Sequence, residues 1–375
     1  MALVTRKKVY WSSCHDSRLG WLVDCTGTVS VTWSRMCLLF NYCRIFLKVA
    51  MSMHLPTSAE LQTGAAIVYR AMPPTPQYSW PLLNQALGTE AWIKHENHTP
   101  TGAFKVRGGL VYVDLLASRL PQVRGVIAAT RGNHGMSIGF ASLRHGLAAT
   151  IVVPHGNSKE KNAAMRALGV TLIEHGAEFQ ESREHALLLA DERALHMIPS
   201  FHRDLVCGVA SYWTELMTAQ PDLEVLLVPI GQGSGICGAV AARNALGMST
   251  RIVGVVSAHA LAYQLSFQQK KICESPVTAL IADGMACRVP DPASLEIIFS
   301  HVDDVVAVTD TEVAAAMRLY FTATHNVAEG AGAAALAAAM QLRGQLAGKK
   351  IGLPLCGGNV DHDQFAAVLL SQRLH

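Results

Sequence analysis

Charged and aromatic residues are scarce in this chain, and their scarcity excludes several classes of protein. Of the 375 residues 16% are charged and 6% aromatic, while half are apolar. The formal net charge is only +3, and no basic run is longer than Arg6-Lys7-Lys8. Nothing therefore indicates a surface for nucleic acid or an anionic membrane. Such a chain can bury a large core and form one to three domains.

Long hydrophobic runs and paired cysteines are also missing. The most apolar stretch of the first fifty residues, 36–50, is interrupted by Asn41, Arg44 and Lys48, so it is too short and too charged to span a bilayer. No apolar segment there is followed by a cleavage site typical of a signal peptide. The nine cysteines are an odd number, and those after position 50 occur singly. We therefore expect free thiols and a cytoplasmic protein.

Residues 1–50 differ in composition from the rest of the chain. They contain four of the nine cysteines and three of the six tryptophans, and they lack the alternation of strands and helices that follows. We interpret them as an atypical N-terminal extension, disordered or non-native, and leave them out of the fold prediction.

From about residue 60, apolar strands alternate with amphipathic helices, which is typical of parallel sheets covered on both faces. The predicted strands are 90–94, 123–130, 149–153, 170–173, 223–230, 251–256, 305–308 and 351–355. A break in the series predicts two doubly wound α/β domains. The small domain is expected at 125–200, and the large one combines 51–124 with 201–375. Ligands of such folds bind at the carboxyl ends of the strands, so we expect the site in the cleft between the domains.

Two of these strands end in glycine-containing loops that open a helix. The loop RGNHG at 131–135 follows strand 123–130, and backbone N–H groups at a helix start bind carboxylate or phosphate oxygens. The loop GQGSG at 231–235 follows strand 223–230, and its glycines can form a nest of N–H groups that fits a phosphate. Taken alone, the first loop is also explained as a tight turn with a buried asparagine.

The second loop also matches a dinucleotide-binding pattern in the register Gly233-x-Gly235-x-x-Gly238. That pattern requires an acidic residue at the end of the next strand to bind the ribose hydroxyls. Here strand 251–256 runs into Ser257. The sequence therefore favours a phosphate site over a dinucleotide site.

A single lysine and a single cysteine stand at two further positions of interest. Lys105 follows the small-residue turn HTPTGAF and precedes Gly108 and Gly109; its ordinary interpretation is a solvated lysine that opens a helix. Cys356 ends the last strand before Gly357-Gly358-Asn359, and its ordinary role is a buried apolar residue. Its position at a strand end also fits contact with a ligand, but no neighbour in sequence lowers the pKa of its thiol for catalysis. No motif has the spacing of a metal site.

The four motifs TGAFKVRGG, RGNHG, GQGSG and CGGN, in this order, resemble the fold type II pyridoxal-phosphate enzymes. The resemblance is to the serine/threonine dehydratase (threonine ammonia-lyase) and serine racemase group, and it runs from about Pro74 to the C-terminus. It implies a tryptophan synthase β-like fold, pyridoxal 5'-phosphate as cofactor and a small amino acid as substrate. Such a cofactor needs an amine for a Schiff base, a phosphate nest and partners for its phenolic oxygen and ring nitrogen. We also expect a homodimer.

The resemblance also implies a role for each matched residue. Lys105 would form the Schiff base and later remove the α-proton, Asn133 would bind the phenolic oxygen, and Cys356 would face the ring nitrogen where the family has serine. The implied cofactor-binding residues are Lys105, Phe104, Asn133, Gly231, Gln232, Gly233, Ser234, Gly235 and Cys356. The implied substrate-binding residues are Thr130, Arg131, Gly132 and His134, with the backbone of Asn133. Glu329 matches the Glu-Pro-x-Ala-Gly region of the family, without an assigned role.

Two departures from the family bear on the reaction. Arg131 occupies the position of the serine that serves as second base in serine racemase, and a guanidinium is a poor base, so we expect elimination and not racemisation. Ser257 stands where the divalent-metal site of the family begins, and we expect no metal.

The predicted function is a pyridoxal-phosphate-dependent ammonia-lyase (dehydratase) of amino-acid catabolism. It would convert L-threonine, L-serine or both to a 2-oxo acid and ammonium by α,β-elimination. Three alternatives remain open at this point. The first is a substrate with an acidic β-substituent, such as 3-hydroxyaspartate, which Arg131 would pair with. The others are a non-catalytic protein that binds pyridoxal phosphate or an amino acid, and an enzyme of β-replacement.

Overall fold

The computed structural model describes residues 54–278 and 281–371, so the prediction made for residues 1–50 lies outside the described residues. All described residues belong to one compact unit. The helices are α1 Ser58–Tyr69, α2 Pro81–Leu87, α3 Lys105–Arg119, α4 Asn133–Arg144, α5 Lys159–Ala167, α6 Phe179–Glu192, α7 Arg203–Ala219, α8 Ser234–Ala245, α9 Ala262–Gln269, α10 Pro292–His301, α11 Asp310–Thr324, α12 Gly330–Gln341, α13 Arg343–Leu346 and α14 His362–Leu370. The strands are β1 Gln77–Ser79, β2 Glu90–His95, β3 Gly125–Ala129, β4 Ala148–Val153, β5 Thr171–Glu174, β6 His196–Met197, β7 Val225–Pro229, β8 Arg251–Ser257, β9 Asp304–Val308 and β10 Lys350–Leu355.

The strands form two sheets. The four-stranded sheet has the order β5-β4-β3-β6 and is parallel throughout. The six-stranded sheet has the order β1-β2-β10-β7-β8-β9 and is parallel except at its edge, where β1 pairs with β2 in antiparallel fashion. The predicted α/β fold with parallel sheets is confirmed, and the antiparallel edge strand is an addition that the sequence pattern did not reveal.

The two sheets draw on different parts of the sequence. The four-stranded sheet uses residues 125–197, which lie inside the range predicted for the small domain. The six-stranded sheet uses 77–95 and 225–355, which lie in the two ranges predicted for the large domain. The division into two domains stays a prediction.

Both faces of the six-stranded sheet are covered, as the apolar strands require. Along β7, Leu226 belongs to the same buried cluster as residues of α3, α7 and α8, whereas Val225 and Leu227 belong to a cluster with α12. Alternate residues of a strand point to opposite faces, so helices lie on both sides. Ten consecutive residues of α12, Gly330–Ala339, are buried, and their small side chains allow the helix to approach the sheet closely. Truncating a fully buried side chain such as Leu227 to alanine should cost about 2–5 kcal/mol.

Helix α4 begins at Asn133, inside the loop 131–135 that the sequence predicts to precede it. Gly132 is its N-cap, with a φ of 149° that side chains rarely adopt. Three residues, 130–132, therefore separate the end of β3 from the helix, and Asn133 and His134 fall in the first helical turn. As a result, the N–H groups of the helix start lie directly at the end of β3.

Neither a membrane-spanning helix nor a metal cluster occurs in residues 54–278 and 281–371. No helix there is long and apolar enough to cross a membrane. No group of three or more His, Cys, Asp or Glu side chains is placed to hold a metal ion.

Candidate active site

One cleft collects the carboxyl ends of β3, β7 and β10 and the start of α3. It encloses about 1020 Å³ of empty space, including open solvent. All the candidate residues from the sequence line it: Phe104, Lys105, Thr130, Arg131, Gly132, Asn133, His134, Gly231, Gln232, Gly233, Ser234, Gly235, Cys356 and Glu329. The structure thus brings together residues that lie as far apart in the sequence as Phe104 and Cys356.

Lys105 is the first residue of α3 and faces this cleft. Its ammonium lies 4.2 Å from the centroid of the Phe104 ring. Burial lowers the pKa of Lys105 below that of an ordinary lysine, because desolvation disfavours the charged form. A lysine with a lowered pKa offers the neutral amine that attack on an aldehyde requires. The solvated lysine of the ordinary interpretation is therefore wrong for this position.

The turn before Lys105 is hydrogen-bonded to the residues at the end of the last strand, β10. The N–H of Phe104 donates to the carbonyl of Cys356 over 3.0 Å, and the N–H of Gly358 donates to the carbonyl of Gly102 over 2.9 Å. Gly102 has a φ of 69°, in the left-handed region that favours glycine. These contacts explain why a turn rich in small residues precedes the lysine, and they place Cys356 beside it.

The Cys356 thiol is buried, and its Sγ lies 3.4 Å from the carbonyl oxygen of Ala331. Burial, followed by the carboxylate of Glu329, raises the pKa of Cys356 to about 12. The thiol is therefore neutral at physiological pH. It can face a ring nitrogen as a neutral group, and it is a poor nucleophile.

The side chain of Asn133 is held from two sides. Its amide nitrogen donates to Glu329, and its amide oxygen accepts from Nδ2 of Asn359 over 2.9 Å. Glu329 stands at the start of α12 and Asn359 follows β10. The orientation of Asn133 therefore depends on the folded cleft. The resulting position fits a hydrogen bond to a ligand in the cleft.

The loop after β3 supplies a further neutral group and an internal hydrogen bond. The N–H of Gly132 donates to the hydroxyl of Thr130 over 2.9 Å, so this predicted carboxylate donor is engaged within the loop. Burial, followed by the nearby ammonium of Lys105, lowers the pKa of His134 to about 4. His134 is therefore neutral at physiological pH, and its buried Nε2 has no hydrogen-bond partner among the described residues.

The loop after β7 has a shape that side chains would destroy. Gly233 has a φ of 102°, and a Cβ there would lie 2.5 Å from Cβ of Ser294. A Cβ on Gly231 would lie 2.7 Å from the carbonyl oxygen of Gly284. The loop ends at the first turn of α8, whose leading N–H groups have no partner within the helix. This arrangement forms a cradle for an anion such as a phosphate.

An ion cluster that sequence analysis missed completes the wall of the cleft. Nζ of Lys161 lies 3.0 Å from Oδ2 of Asp283 and 3.1 Å from Oε2 of Glu329. Burial disfavours the charged form of Lys161, but the two carboxylates outweigh it and raise the pKa of Lys161 above its usual range. Its stem also packs over Gly132, where a Cβ would come within 2.4 Å of it.

These residues fit pyridoxal phosphate. The cleft offers an amine with a lowered pKa, a glycine cradle that a Cβ would fill, an oriented amide and a neutral thiol. The orphaned Nε2 of His134 is a further polar atom available to a ligand.

Comparison with known proteins agrees with this fit. The sequence signature of the pyridoxal-phosphate dependent enzymes matches residues 68–357, and the chain belongs to this family. Its cofactor is pyridoxal phosphate.

Two of the similar proteins are ammonia-lyases, and a third is an amino-acid racemase. The chain is 34% identical over 288 residues to the L-threonine ammonia-lyase of Geobacter sulfurreducens, an alignment that covers 76% of this chain and 71% of that protein. It is 31% identical over 299 residues to an L-threo-3-hydroxyaspartate ammonia-lyase of a Pseudomonas species, covering 79% and 92%. It also superposes on the crystal structure of a pyridoxal 5'-phosphate-dependent aspartate racemase with a TM-score of 0.79 and 26% identity, covering 84% and 99%.

Proposed function

We propose that this protein is a pyridoxal-phosphate-dependent ammonia-lyase that converts L-threonine and L-serine to the 2-oxo acid and ammonium by α,β-elimination. The observation that carries the proposal is the placement of Lys105, with its lowered pKa, in the same cleft as the glycine cradle of 231–235. The ammonia-lyase names of the relatives support it.

Each wall of the cleft has a task in this reaction. Bound pyridoxal phosphate supplies the electron sink that makes the α-proton of an attached amino acid acidic. Residues 231–235 would hold the phosphate, and Asn133 and Cys356 would contact the ring as neutral partners. Nζ of Lys105 would bond to the cofactor and, once the substrate displaces it, accept the α-proton. The N–H groups of Asn133 and His134, at the start of α4, would orient the α-carboxylate.

The atoms of the reaction balance without an oxidant or a second substrate other than water. The α-proton would move to Nζ of Lys105, and the hydroxyl would leave Cβ as the Cβ–O bond breaks. The hydrogen lost from Cα and the hydroxyl lost from Cβ together make up one molecule of water. The released enamine tautomerises to an imine. Water then hydrolyses the imine to the 2-oxo acid and ammonium.

Arg131 favours elimination over racemisation. Racemisation requires a second base on the face of the substrate opposite the lysine, and a guanidinium, which remains protonated, is a poor one. The likeness to an aspartate racemase therefore concerns the fold and the cofactor, and we do not transfer its activity to this chain.

The test is an assay for 2-oxo acid with the purified protein, pyridoxal phosphate and either L-threonine or L-serine. Product in both reactions supports the proposal. A spectral change with amino acids but no product over hours would favour a non-catalytic binding protein. A thioether or thiol product that forms only with added sulfide would favour β-replacement.

Four finer points belong to the same proposal. We propose that the protein acts in the cytoplasm, in amino-acid catabolism, and forms a homodimer. We also propose that 125–200 forms a small domain, with 51–124 and 201–375 as the large one. Light scattering tests the oligomeric state, cell fractionation tests the compartment, and limited proteolysis tests the domain boundaries.

A further inference from the structure

Arg131 is a cation of the cleft without a partner. The described part of the chain offers its guanidinium no ion pair and no hydrogen bond, and its Nε is buried. A buried donor without an acceptor destabilises the folded protein, and more so when it is charged. A bound anion would remove that destabilisation.

The two carboxylates of the cleft share one cation other than Arg131. Asp283 and Glu329 both pair with Lys161, and His134 is neutral because its pKa is about 4. Lys105 would be bonded to the cofactor and would not be free to pair with another anion. Arg131 is then the cation lining the cleft that has no partner among the described residues.

Two anions expected in the cleft have their own sites. The phosphate of the cofactor fits the glycine cradle at 231–235, and the α-carboxylate of the substrate fits the start of α4 at Asn133 and His134. Both sites use backbone N–H groups at a helix start. The guanidinium of Arg131 is therefore left for a third anionic group.

A smaller pocket adjoins the cleft at Arg131. The two share Arg131, Phe179, Gln232 and Ala286. The charged residues of the smaller pocket are Arg131, Glu178 and Arg288, of which Glu178 and Arg288 pair with each other over 3.6 Å. The pocket thus has one uncompensated positive charge and room for a substrate group that reaches beyond the reacting atoms.

We propose that Arg131 is a specificity residue that binds a second carboxylate on the β-carbon of the substrate. This inference rests on the proposed ammonia-lyase function and deepens it. The preferred substrate is a β-hydroxy-α-amino dicarboxylic acid, such as 3-hydroxyaspartate, with threonine and serine converted less efficiently. In 3-hydroxyaspartate the second carboxylate is attached to the carbon that bears the leaving hydroxyl, so it lies close to the α-carboxylate site beside Arg131. A guanidinium and a carboxylate pair through two parallel hydrogen bonds.

The kinetic test compares L-threo-3-hydroxyaspartate with L-threonine in the wild type and in Arg131→Gln. The wild type should have the higher kcat/KM for hydroxyaspartate. The variant should lower that value at least about tenfold, equivalent to about 1.4 kcal/mol, and leave the value for threonine within about threefold. Arg193→Gln is the matched control, because Arg193 is an exposed arginine that lines neither pocket, and its replacement should keep the wild-type ratio.

Three other results would each overturn the inference. An equal loss with both substrates would mean that Arg131 binds the α-carboxylate. A weaker affinity for pyridoxal phosphate, measured by titrating the apoprotein, would mean that it binds the phosphate. Turnover of threonine without turnover of hydroxyaspartate by the wild type would exclude a dicarboxylate substrate while leaving the ammonia-lyase function intact.

A binding measurement keeps the inference testable if the protein converts neither substrate. L-aspartate and L-2-aminobutyrate lack the β-hydroxyl and cannot undergo the elimination. Calorimetric titration of the holoprotein should give at least about tenfold tighter binding of L-aspartate, and Arg131→Gln should abolish the difference. If Arg131→Gln does not fold, Arg131→Lys serves, because it keeps the charge and loses the two-pronged geometry. Equal affinities of the wild type for the two amino acids would contradict the inference even if the protein were no enzyme.

Discussion

The ammonium of Lys161 lies 3.1 Å from the carboxylate of Glu329, and this pair connects two parts of the fold. Lys161 belongs to α5, which follows the central strand β4 of the four-stranded sheet. Glu329 is the N-cap of α12, which packs against the six-stranded sheet. Since Glu329 also accepts a hydrogen bond from Asn133, the pair sets the charge next to a residue that we propose contacts the cofactor.

Removing this cation should destabilise the protein strongly. In Lys161→Met, the carboxylate of Glu329 stays buried without a compensating charge, which typically costs about 3–5 kcal/mol. Urea unfolding of the apoprotein measures the loss. Lys159→Met is the control, because Lys159 is exposed on the same helix and its replacement should change the free energy of unfolding by no more than about 0.5 kcal/mol. Equal effects of the two substitutions would contradict the role of the pair.

The glycine cradle should not tolerate a methyl group. Gly233→Ala forces a side chain into a φ of 102° and against Ser294, so we expect the affinity for pyridoxal phosphate to fall by about tenfold or more. Gly247→Ala is a suitable control, since Gly247 has a φ of 67° with open space around a Cβ. It carries a similar backbone strain outside the cleft. If titration of the two apoproteins with pyridoxal phosphate gave the same affinity, the cradle would not be the phosphate site.

His134 should make the folded state sensitive to acid. Its pKa is about 4 in the folded protein and near 6.5 in the unfolded chain, so the unfolded state binds more protons between these values. The neutral side chain therefore contributes stability that is fully present above pH 6.5 and is lost as the pH falls towards 4, by roughly 3 kcal/mol. His134→Asn cannot titrate in this range and should lose less stability. Unfolding curves of both proteins at a series of pH values test this, and parallel losses would contradict it.

Most of the fold could be predicted because its signals are local. Nearly continuous apolar strands, such as β3 and β7, predict parallel sheets by themselves, and the Ser158 cap and Gly169 mark the ends of α5. The antiparallel strand β1 has three residues and no apolar run. Its pairing depends on β2, so no local pattern could reveal it.

The cleft residues that could be predicted from the sequence are those that belong to a recognisable motif. Glycine loops and Lys105 stand next to strand or helix ends, where the backbone positions them. Lys161 and Asp283 were not predicted as cleft residues because nothing in their local sequence distinguishes them. Lys161 is buried, whereas Lys159 on the same helix is exposed. Their meeting depends on tertiary structure, which a single sequence does not show.

The central claim, that Lys105 is the cofactor-binding and proton-accepting residue of an ammonia-lyase, is tested most directly by one comparison. Wild type and Lys105→Ala, each reconstituted with pyridoxal phosphate, are assayed for 2-oxo acid from L-threonine and L-threo-3-hydroxyaspartate. The visible absorption of each protein is recorded first, and the cofactor that stays attached is measured after reduction with borohydride and dialysis. The wild type should form 2-oxo acid and retain reduced cofactor attached to Lys105, as peptide mass spectrometry can show. Lys105→Ala should form no product and retain no cofactor. Full activity of Lys105→Ala, or cofactor attached to another residue of the wild type, would contradict the account.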